Sequence, residues 1–341
     1  MNGVDFIIFF SEAYISYFVF IVLLIEPLFT SNNLIKFWNK LQDMFRELGD
    51  PRCAIKLKRE TFKLLLLYVF GMTCFVIIMS ANSNADLEQV SLSDMAFMGV
   101  WSIFGISYVF IFVYCTLILS AIIILFEQVE KMMKANFLLW TSYRGGGGSN
   151  KPISVTDSST DPEVQLYYAQ EKFEETVQLF NEFQNSFGFK LLICVTKVCF
   201  STFLTFRLLI LVMKVKVGGE SSSLFQVTVL HTSHLWGLLF LLSLCNNAKN
   251  MASKANACLE SVKPYKIIRT CPHRMILVVH VFLTQMRTKS FSLTAAGLIN
   301  IDGRLFISMA AVIISYSVVL ENFSPEQKIT YLQFNETLSS P

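Results

Sequence analysis

Residues 304–323 read RLFISMAAVIISYSVVLENF, and this stretch decides the fold class. Its length matches the roughly 20 apolar residues with which an α-helix crosses the hydrocarbon core of a bilayer. It nevertheless carries hydroxyl, carboxylate and amide side chains. Polar groups within membrane spans usually face a bundle interior or a water-filled cavity. We therefore predict a membrane-spanning helix that does not face lipid alone, and we interpret it as the lining of a pore.

The rest of the chain agrees with a membrane protein. Of its 341 residues, 53% are hydrophobic and 16% are charged, and the mean hydropathy is +0.52, whereas soluble domains contain about 25% charged residues. A shorter apolar run, 275–286, is predicted to be a helix packed on protein. The predicted fold class is all-α, a polytopic membrane helical bundle with six spans at about 6–29, 61–81, 97–126, 187–213, 224–247 and 304–321.

Lysine and arginine concentrate in alternate connecting segments. Residues 31–60, 127–186 and 248–303 are rich in them, whereas 82–96 contains none. The positive-inside rule places the three basic segments in the cytosol and the 324–341 tail outside the plasma membrane. Six spans then put the N-terminus outside as well. The first run is too long for a signal peptide and lacks a basic leading region, so we interpret it as a span.

The cytosolic segments are predicted to be mainly helical and to form an anchor beneath the membrane. Residues 126–140 continue the helix of the third span, and 161–188 begin with a capping Asp161 and Pro162 at the first helical position. Lys197, near the inner end of the fourth run, is expected to extend to the interface. Apolar residues of 161–188 recur at helical spacing, namely Val164, Tyr168, Phe173, Val177, Phe180 and Phe187.

The predicted domains follow from these assignments. The segment 145–149, GGGGS, is a flexible loop whose native or engineered origin the letters leave open. The organisation is spans in 1–126, a cytosolic helical loop in 127–186, spans in 187–247, a cytosolic anchor region in 248–303, a pore-lining span in 304–323 and an extracellular tail in 324–341. Asn335, Glu336 and Thr337 form an N-glycosylation sequon that agrees with an outside tail.

Polar and aromatic residues in the other spans are candidates for a ligand pocket, because such pockets are apolar with a few placed polar groups. Helix-to-helix hydrogen bonding and interfacial anchoring are the alternative interpretations. The candidates are Glu12, Tyr14, Tyr17, Trp101, Tyr108, Arg207, His231 and His234.

Other chemistry is not predicted. His231 and His234 are three residues apart, but no acid or cysteine accompanies them, so we predict no metal site. The eight cysteines form no CxxC pair and are expected to be free thiols. No acid, base and nucleophile converge, so the chain is not expected to be an enzyme. No cofactor and no nucleic-acid partner are expected.

The last span carries a stripe of small and mildly polar residues. Glu321, at its outer end, would form a ring of acids if several copies met around an axis, and acid rings favour cations. A small-residue stripe is also compatible with a helix-packing seam, and periodicity does not separate the two. The stripe consists of Ser308, Ala311, Ser315, Val318 or Val319, and Asn322.

The chain resembles the insect gustatory receptor family. That family ends in a span with Thr-Tyr, five apolar residues and Gln-Phe. Here the corresponding residues 315–323 read SYSVVLENF, with Ser315 for Thr, Asn322 for Gln, and Tyr316 and Phe323 matching directly. Residues 280–306 are similar to the family's approach to this span, through a Phe-Leu-x-Gln helix, an Ala-Gly-Leu turn and Ile-Asp. Residues 180–192 are similar to its entry into the span after the large cytosolic loop.

The resemblance implies a subunit of a tetrameric, ligand-gated, non-selective cation channel that opens on binding a small tastant. It implies seven spans, a cytosolic N-terminus and an outside C-terminus, so with six spans predicted here we expect the family's first span to be absent. It also implies that the last helix lines the pore, with Asn322 near the outer gate, Val318 and Val319 one turn below, and Tyr316 behind. A receptor signalling through a cytosolic partner and a non-conducting accessory or remnant subunit are the alternatives.

Overall fold

The structure, a computed structural model, describes residues 3–48, 51–83, 92–145, 162–215, 222–261, 273–287 and 291–322. Within these ranges the chain forms seven α-helices and one short β-hairpin, so the all-α class predicted from the sequence is confirmed. The elements are α1 (Gly3–Glu47), α2 (Pro51–Ser83), α3 (Leu92–Gly145), α4 (Pro162–Val215), α5 (Ser222–Ser261), α6 (His273–Arg287), β1 (Thr294–Ala295), β2 (Ile299–Asn300) and α7 (Gly303–Asn322).

Each of the six apolar runs lies within one helix, and run 275–286 lies within α6. Among the described residues, Tyr108–Ala135 and Val164–Phe206 are each long and apolar enough to cross a membrane. Tyr14–Glu26 and Ser31–Glu47 qualify as one pair bent by 69°, and Gly303–Val319 is a shorter apolar helix. The span boundaries and the cytosolic segments stay predictions.

Helices α3, α4 and α5 pack together at the centre, with α1 against α3 and α4 and with α2 against α3 and α5. Aromatic side chains fill the interior: the ring of Phe173 meets those of Phe126, Phe282 and Phe291 at centroid distances of 5.6, 5.5 and 6.2 Å. Edge-to-face pairs at such distances add stability beyond the area they bury. Because Phe282 belongs to α6, this cluster confirms that α6 packs on protein.

The apolar residues at helical spacing in α4 are buried only in part, and the expectation for Lys197 is wrong. Val164 and Tyr168 are exposed, at 57% and 40%, whereas Leu166 and Ala169 are buried. Successive helical residues are turned by about 100°, so the buried face through Leu166 and Ala169 leaves Val164 on the opposite side. Lys197 is 1% exposed and does not extend outwards, because α4 is covered by α1, α3, α5 and α7.

Three ion pairs between described residues connect α1 with α4 at different positions along α1. Lys40 contacts Glu182 at 2.6 Å, and Lys172 contacts Glu47. The third pair, Lys190 with Glu26, joins Nζ and Oε2 at 2.5 Å and is nearly enclosed, with the side chains 6% and 18% exposed. Because α1 bends after Glu26, this third pair holds the helix at the bend.

The six described cysteines are free. Cys258 of α5 is fully buried, and its thiol donates a hydrogen bond to the carbonyl oxygen of Phe126 at 3.2 Å. Burial, reinforced by the negative charge of Glu130, raises the pKa of the Cys258 thiol to about 12. The thiol therefore stays protonated at neutral pH and packs as a small apolar group.

Candidate functional site

Helix α7 presents two different faces. Leu305, Met309, Ile313 and Ser317 are buried at a spacing of four residues, and this face packs mainly on α4, with a smaller contact to α5. A spacing of four turns slowly around a helix, so these residues form one continuous inward stripe. One side of α7 is thus buried against other helices of the same chain.

The stripe predicted to line a pore occupies the other side of α7. Ser308, Ala311 and Ser315 are exposed, and Val318 and Val319 are exposed at 55% and 47%. Helical geometry places Ala311, Ser315 and Val319 roughly half a turn from the buried stripe, and Ser308 and Val318 about a quarter turn from it. We call this exposed set the α7 outer face. Its residues are exposed in the part of the chain that the structure describes.

The remaining residues of the predicted gate are only partly described. Tyr316 is 61% exposed and therefore is not packed within the single chain. Glu321 and Asn322 end α7, but their side chains are not among those described. Phe323 and Asn335 lie outside the described residues.

The start of α7 is fixed by Asp302. Its Oδ1 accepts a hydrogen bond from the backbone N–H of Arg304 at 2.8 Å, and its carbonyl oxygen accepts one from Leu305 at 3.1 Å. An aspartate that accepts a hydrogen bond from the backbone N–H of the second helical residue is an N-cap, and it satisfies a donor that would otherwise be unpaired. Its negative charge also interacts favourably with the positive N-terminal end of the helix dipole.

A tight β-hairpin precedes this cap. Thr294 pairs with Asn300 and Ala295 with Ile299, and the N–H of Leu298 donates to the carbonyl oxygen of Ala295 at 3.0 Å. Ala296 and Gly297 both have positive φ, at 51° and 73°. Two consecutive positive φ values are typical of a type I′ turn, which matches the twist of a two-stranded ribbon.

The hairpin lies directly on α4. The side-chain amide of Gln184 donates a hydrogen bond to the hydroxyl of Thr294. A Cβ added at Gly188 would lie 3.0 Å from the backbone nitrogen of Ala296 and 3.3 Å from its Cα. Glycine costs helix stability, so its use here follows from the close approach of the two backbones. We call Gln184, Gly188, Thr294 and Ala296 the hairpin seat.

Two of the predicted pocket residues lie in neighbouring turns of packed helices. Tyr108 of α3 is fully buried, and a Cβ added at Gly237 of α5 would lie 2.5 Å from its hydroxyl oxygen. His234, one turn before Gly237, is 5% exposed. The structure thus brings Tyr108 close to the segment of α5 that carries His234.

The structure does not show any of the other pocket candidates beside Tyr108 and His234. Tyr14 and Tyr17 are exposed on α1, at 70% and 51%. The remaining four lie in helices whose backbone is described, but their side chains are not: Glu12, Trp101, Arg207 and His231.

Sequence reasoning missed the hairpin seat and the Lys190–Glu26 pair. Gly188 offered a signal, since a glycine inside a long apolar helix suggests a close backbone approach. The pairing of Gln184 with Thr294, or of Lys190 with Glu26, carried no such signal. These partners are far apart in the sequence, and only the packing of the helices brings them together.

Comparison with known proteins identifies the class of protein. Residues 1–327 match the family model described as 7tm Chemosensory receptor. The chain therefore belongs to this family of multi-pass membrane receptors, and the resemblance to insect chemosensory receptors seen in the last span is confirmed. Comparison with curated protein sequences gives no significant match.

The fold is similar to that of solved insect receptors. One is the insect olfactory receptor OR5 from Machilis hrabei in complex with eugenol, with a TM-score of 0.62 and 14% identity, covering 95% of this chain and 81% of that one. A second structure of the same receptor gives a TM-score of 0.59 and 13% identity at the same coverage. At these identities the likeness concerns the fold.

Proposed function

We propose that this chain is a gustatory receptor subunit that forms a non-selective cation channel opened by a small tastant. The observation that carries the proposal is the α7 outer face. It places the hydroxyls of Ser308 and Ser315 outside the contacts of the chain, on a helix that buries its apolar stripe inwards. Hydroxyls have no hydrogen-bond partner in hydrocarbon, so such a face is better satisfied by water or by other copies.

The proposed assembly is a tetramer of this chain, alone or with related subunits, in which the α7 helices surround a central axis. The pore would be lined by Ser315, Val318 and Val319, with Asn322 near the outer gate. A ring of Glu321 carboxylates at the outer end would attract cations. The tail with a glycosylated Asn335 would lie outside the plasma membrane. We propose no catalytic activity, cofactor, metal or nucleic-acid partner.

The proposed ligand is a small tastant bound among the other spans, near Tyr108 and His234. OR5 was solved with eugenol, which supports a small-molecule ligand for a chain of this fold. A ligand opens a channel only if it binds the open conformation more tightly than the closed one. The pocket must therefore change shape as α7 moves.

The test is whole-cell current from cells that express this chain, with sucrose, quinine and eugenol as probes and surface biotinylation in parallel. The decisive variant is Ser315→Trp with Val318→Trp, which places two bulky rings on the α7 outer face. The matched control is Ala310→Trp, a change at an exposed residue turned by about 140° from Ser315 and by about 80° from Val318. We expect ligand-evoked cation current from the unchanged chain and from the control, and loss of current from the double variant.

Normal current from the double variant would contradict the pore assignment. A response that requires G proteins, without conductance in bilayers containing the purified protein, would support a receptor that signals through a cytosolic partner. Surface protein that stays silent to all three probes would favour a non-conducting accessory subunit.

A further inference from the structure

We propose that the hairpin seat is the joint that couples α4 to the gate, so that Gly188 and Thr294 act as positioning residues for α7. This inference rests on the proposed channel function. It assigns a mechanical role to a contact between the fourth helix and the segment that leads into the last one.

The first step is the closeness of the two backbones. The contact at Gly188 is with the main chain of Ala296 and not with the end of a flexible side chain. Packed interiors have little free volume, so a methyl group at Gly188 must displace the hairpin by a few tenths of an ångström. The Gln184–Thr294 hydrogen bond fixes the position of the hairpin along α4.

The second step is the short, rigid link from the hairpin to α7. Only Ile301 and Asp302 separate β2 from α7. Ile301 is buried, and its N–H donates to the carbonyl oxygen of Leu293 at 2.9 Å, while Asp302 caps the helix. Both linking residues are held, so a displacement of the hairpin is transmitted to the start of α7.

The third step is the attachment of α4 to α1 at the same level. Lys190, half a turn after Gly188, pairs with Glu26 at the bend of α1, and its ammonium lies 4.7 Å from the ring centroid of Phe187. One short segment of α4 thus holds the bend of α1 on one side and the hairpin on another. A ligand-induced movement that shifts α4 would therefore also shift the hairpin and the N-terminal end of α7.

The experiment compares Gly188→Ala with Gly303→Ala in the full chain, expressed in cells. The control changes the same residue type at the start of α7, where an added Cβ meets nothing within 4 Å. The readouts are surface amount and the concentration for half-maximal current with the most effective of sucrose, quinine and eugenol. We expect Gly188→Ala to raise this concentration at least about threefold at unchanged surface amount, because weaker coupling lowers the effect of the ligand on the gate. Gly303→Ala should match the unchanged chain.

A second pair of variants tests the hydrogen bond of the seat. Thr294→Val removes the hydroxyl that accepts from Gln184 while keeping the shape, and should raise the half-maximal concentration. Thr294→Ser keeps a hydroxyl at this position and should restore a value near that of the unchanged chain. Rescue by the conservative variant would not be expected if residue 294 mattered only for its apolar packing.

The outcomes separate the two proposals. If Gly188→Ala and the unchanged chain give ligand-evoked current with the same half-maximal concentration, the proposed coupling role of the hairpin seat is wrong. The proposed channel function would not be affected by this result. A loss of surface protein with an unchanged half-maximal concentration also overturns the joint, because it shows a role in folding alone. Absence of ligand-evoked current from the unchanged chain overturns the channel function and the joint together.

Discussion

One nearly enclosed ion pair joins α1 to α4 at the bend of α1. The Lys190–Glu26 pair is nearly enclosed, and the Lys190 ammonium also faces the ring of Phe187. A buried ion pair recovers its cost of desolvation only while both partners remain, so each charge depends on the other. We therefore expect the pair to contribute more to the position of α1 on α4 than to total stability.

Replacing Lys190 with methionine should destabilise the chain by about 3 kcal/mol or more, because the Glu26 carboxylate loses its cation in a nearly enclosed site. The measurement is the midpoint of heat-induced loss of monodisperse protein, by fluorescence-detected size-exclusion chromatography in detergent. The double variant Glu26→Leu with Lys190→Met is the control and should recover most of the loss. An unchanged midpoint in Lys190→Met would show that the pair contributes nothing.

For single residues, the sequence predicted which side chains share a face of α7 but not which side chains pair between helices. The stripe from Ser308 to Val319 was predicted from periodicity alone, and the structure exposes it as one face. Val164 and Tyr168 belong to the same series of apolar residues as the buried Phe173, yet they are exposed, because the five-residue step from Tyr168 to Phe173 leads to another face of the helix. Lys190 and Glu26 could not be paired from the sequence, since charge attraction has no fixed sequence separation.

Among the elements, α7 depends most on how its first turn is built. It follows a hairpin directly, and its N-terminal amides would lack acceptors without Asp302. The apolar run predicted the helix, and the Ile-Asp before it appeared only as part of a family resemblance. The hairpin itself was expected only as a turn, because its strands are two residues long and carry no alternating pattern.

Replacing Asp302 with alanine should loosen the first turn of α7 at a cost of about 1 kcal/mol, because an N-cap acceptor is lost. Asp302→Asn is the matched control, since asparagine caps about as well. Hydrogen–deuterium exchange, followed by mass spectrometry of a peptide spanning 301–310, should show faster exchange in Asp302→Ala only. Equal exchange in all three proteins would mean that contacts with α4 hold this turn without the cap.

At the scale of the whole molecule, the chain buries most of α3 between Tyr108 and Glu130 and leaves the α7 outer face exposed. The sequence predicted the membrane bundle because hydrophobic length is set by bilayer thickness. It could not predict how the helices pack, since lipid-facing and protein-facing residues are both apolar in a membrane protein. The function therefore depends on whether the α7 outer face meets other copies of the chain around a pore or meets lipid.

The tetramer proposal predicts that α7 helices of different copies meet along this face. Val318→Cys should then form disulfide-linked dimers when cells are treated with a mild oxidant, because a disulfide requires Cα atoms within roughly 4.4–6.8 Å. Tyr316→Cys, similarly exposed but turned by about 160° from Val318 around the helix, should cross-link far less. Because Cys199 is only partly buried, the unchanged chain treated with the same oxidant measures the background from the native thiols. Dimers from Tyr316→Cys but not from Val318→Cys would place a different face of α7 at the subunit contact and leave Ser315 and Val318 facing lipid.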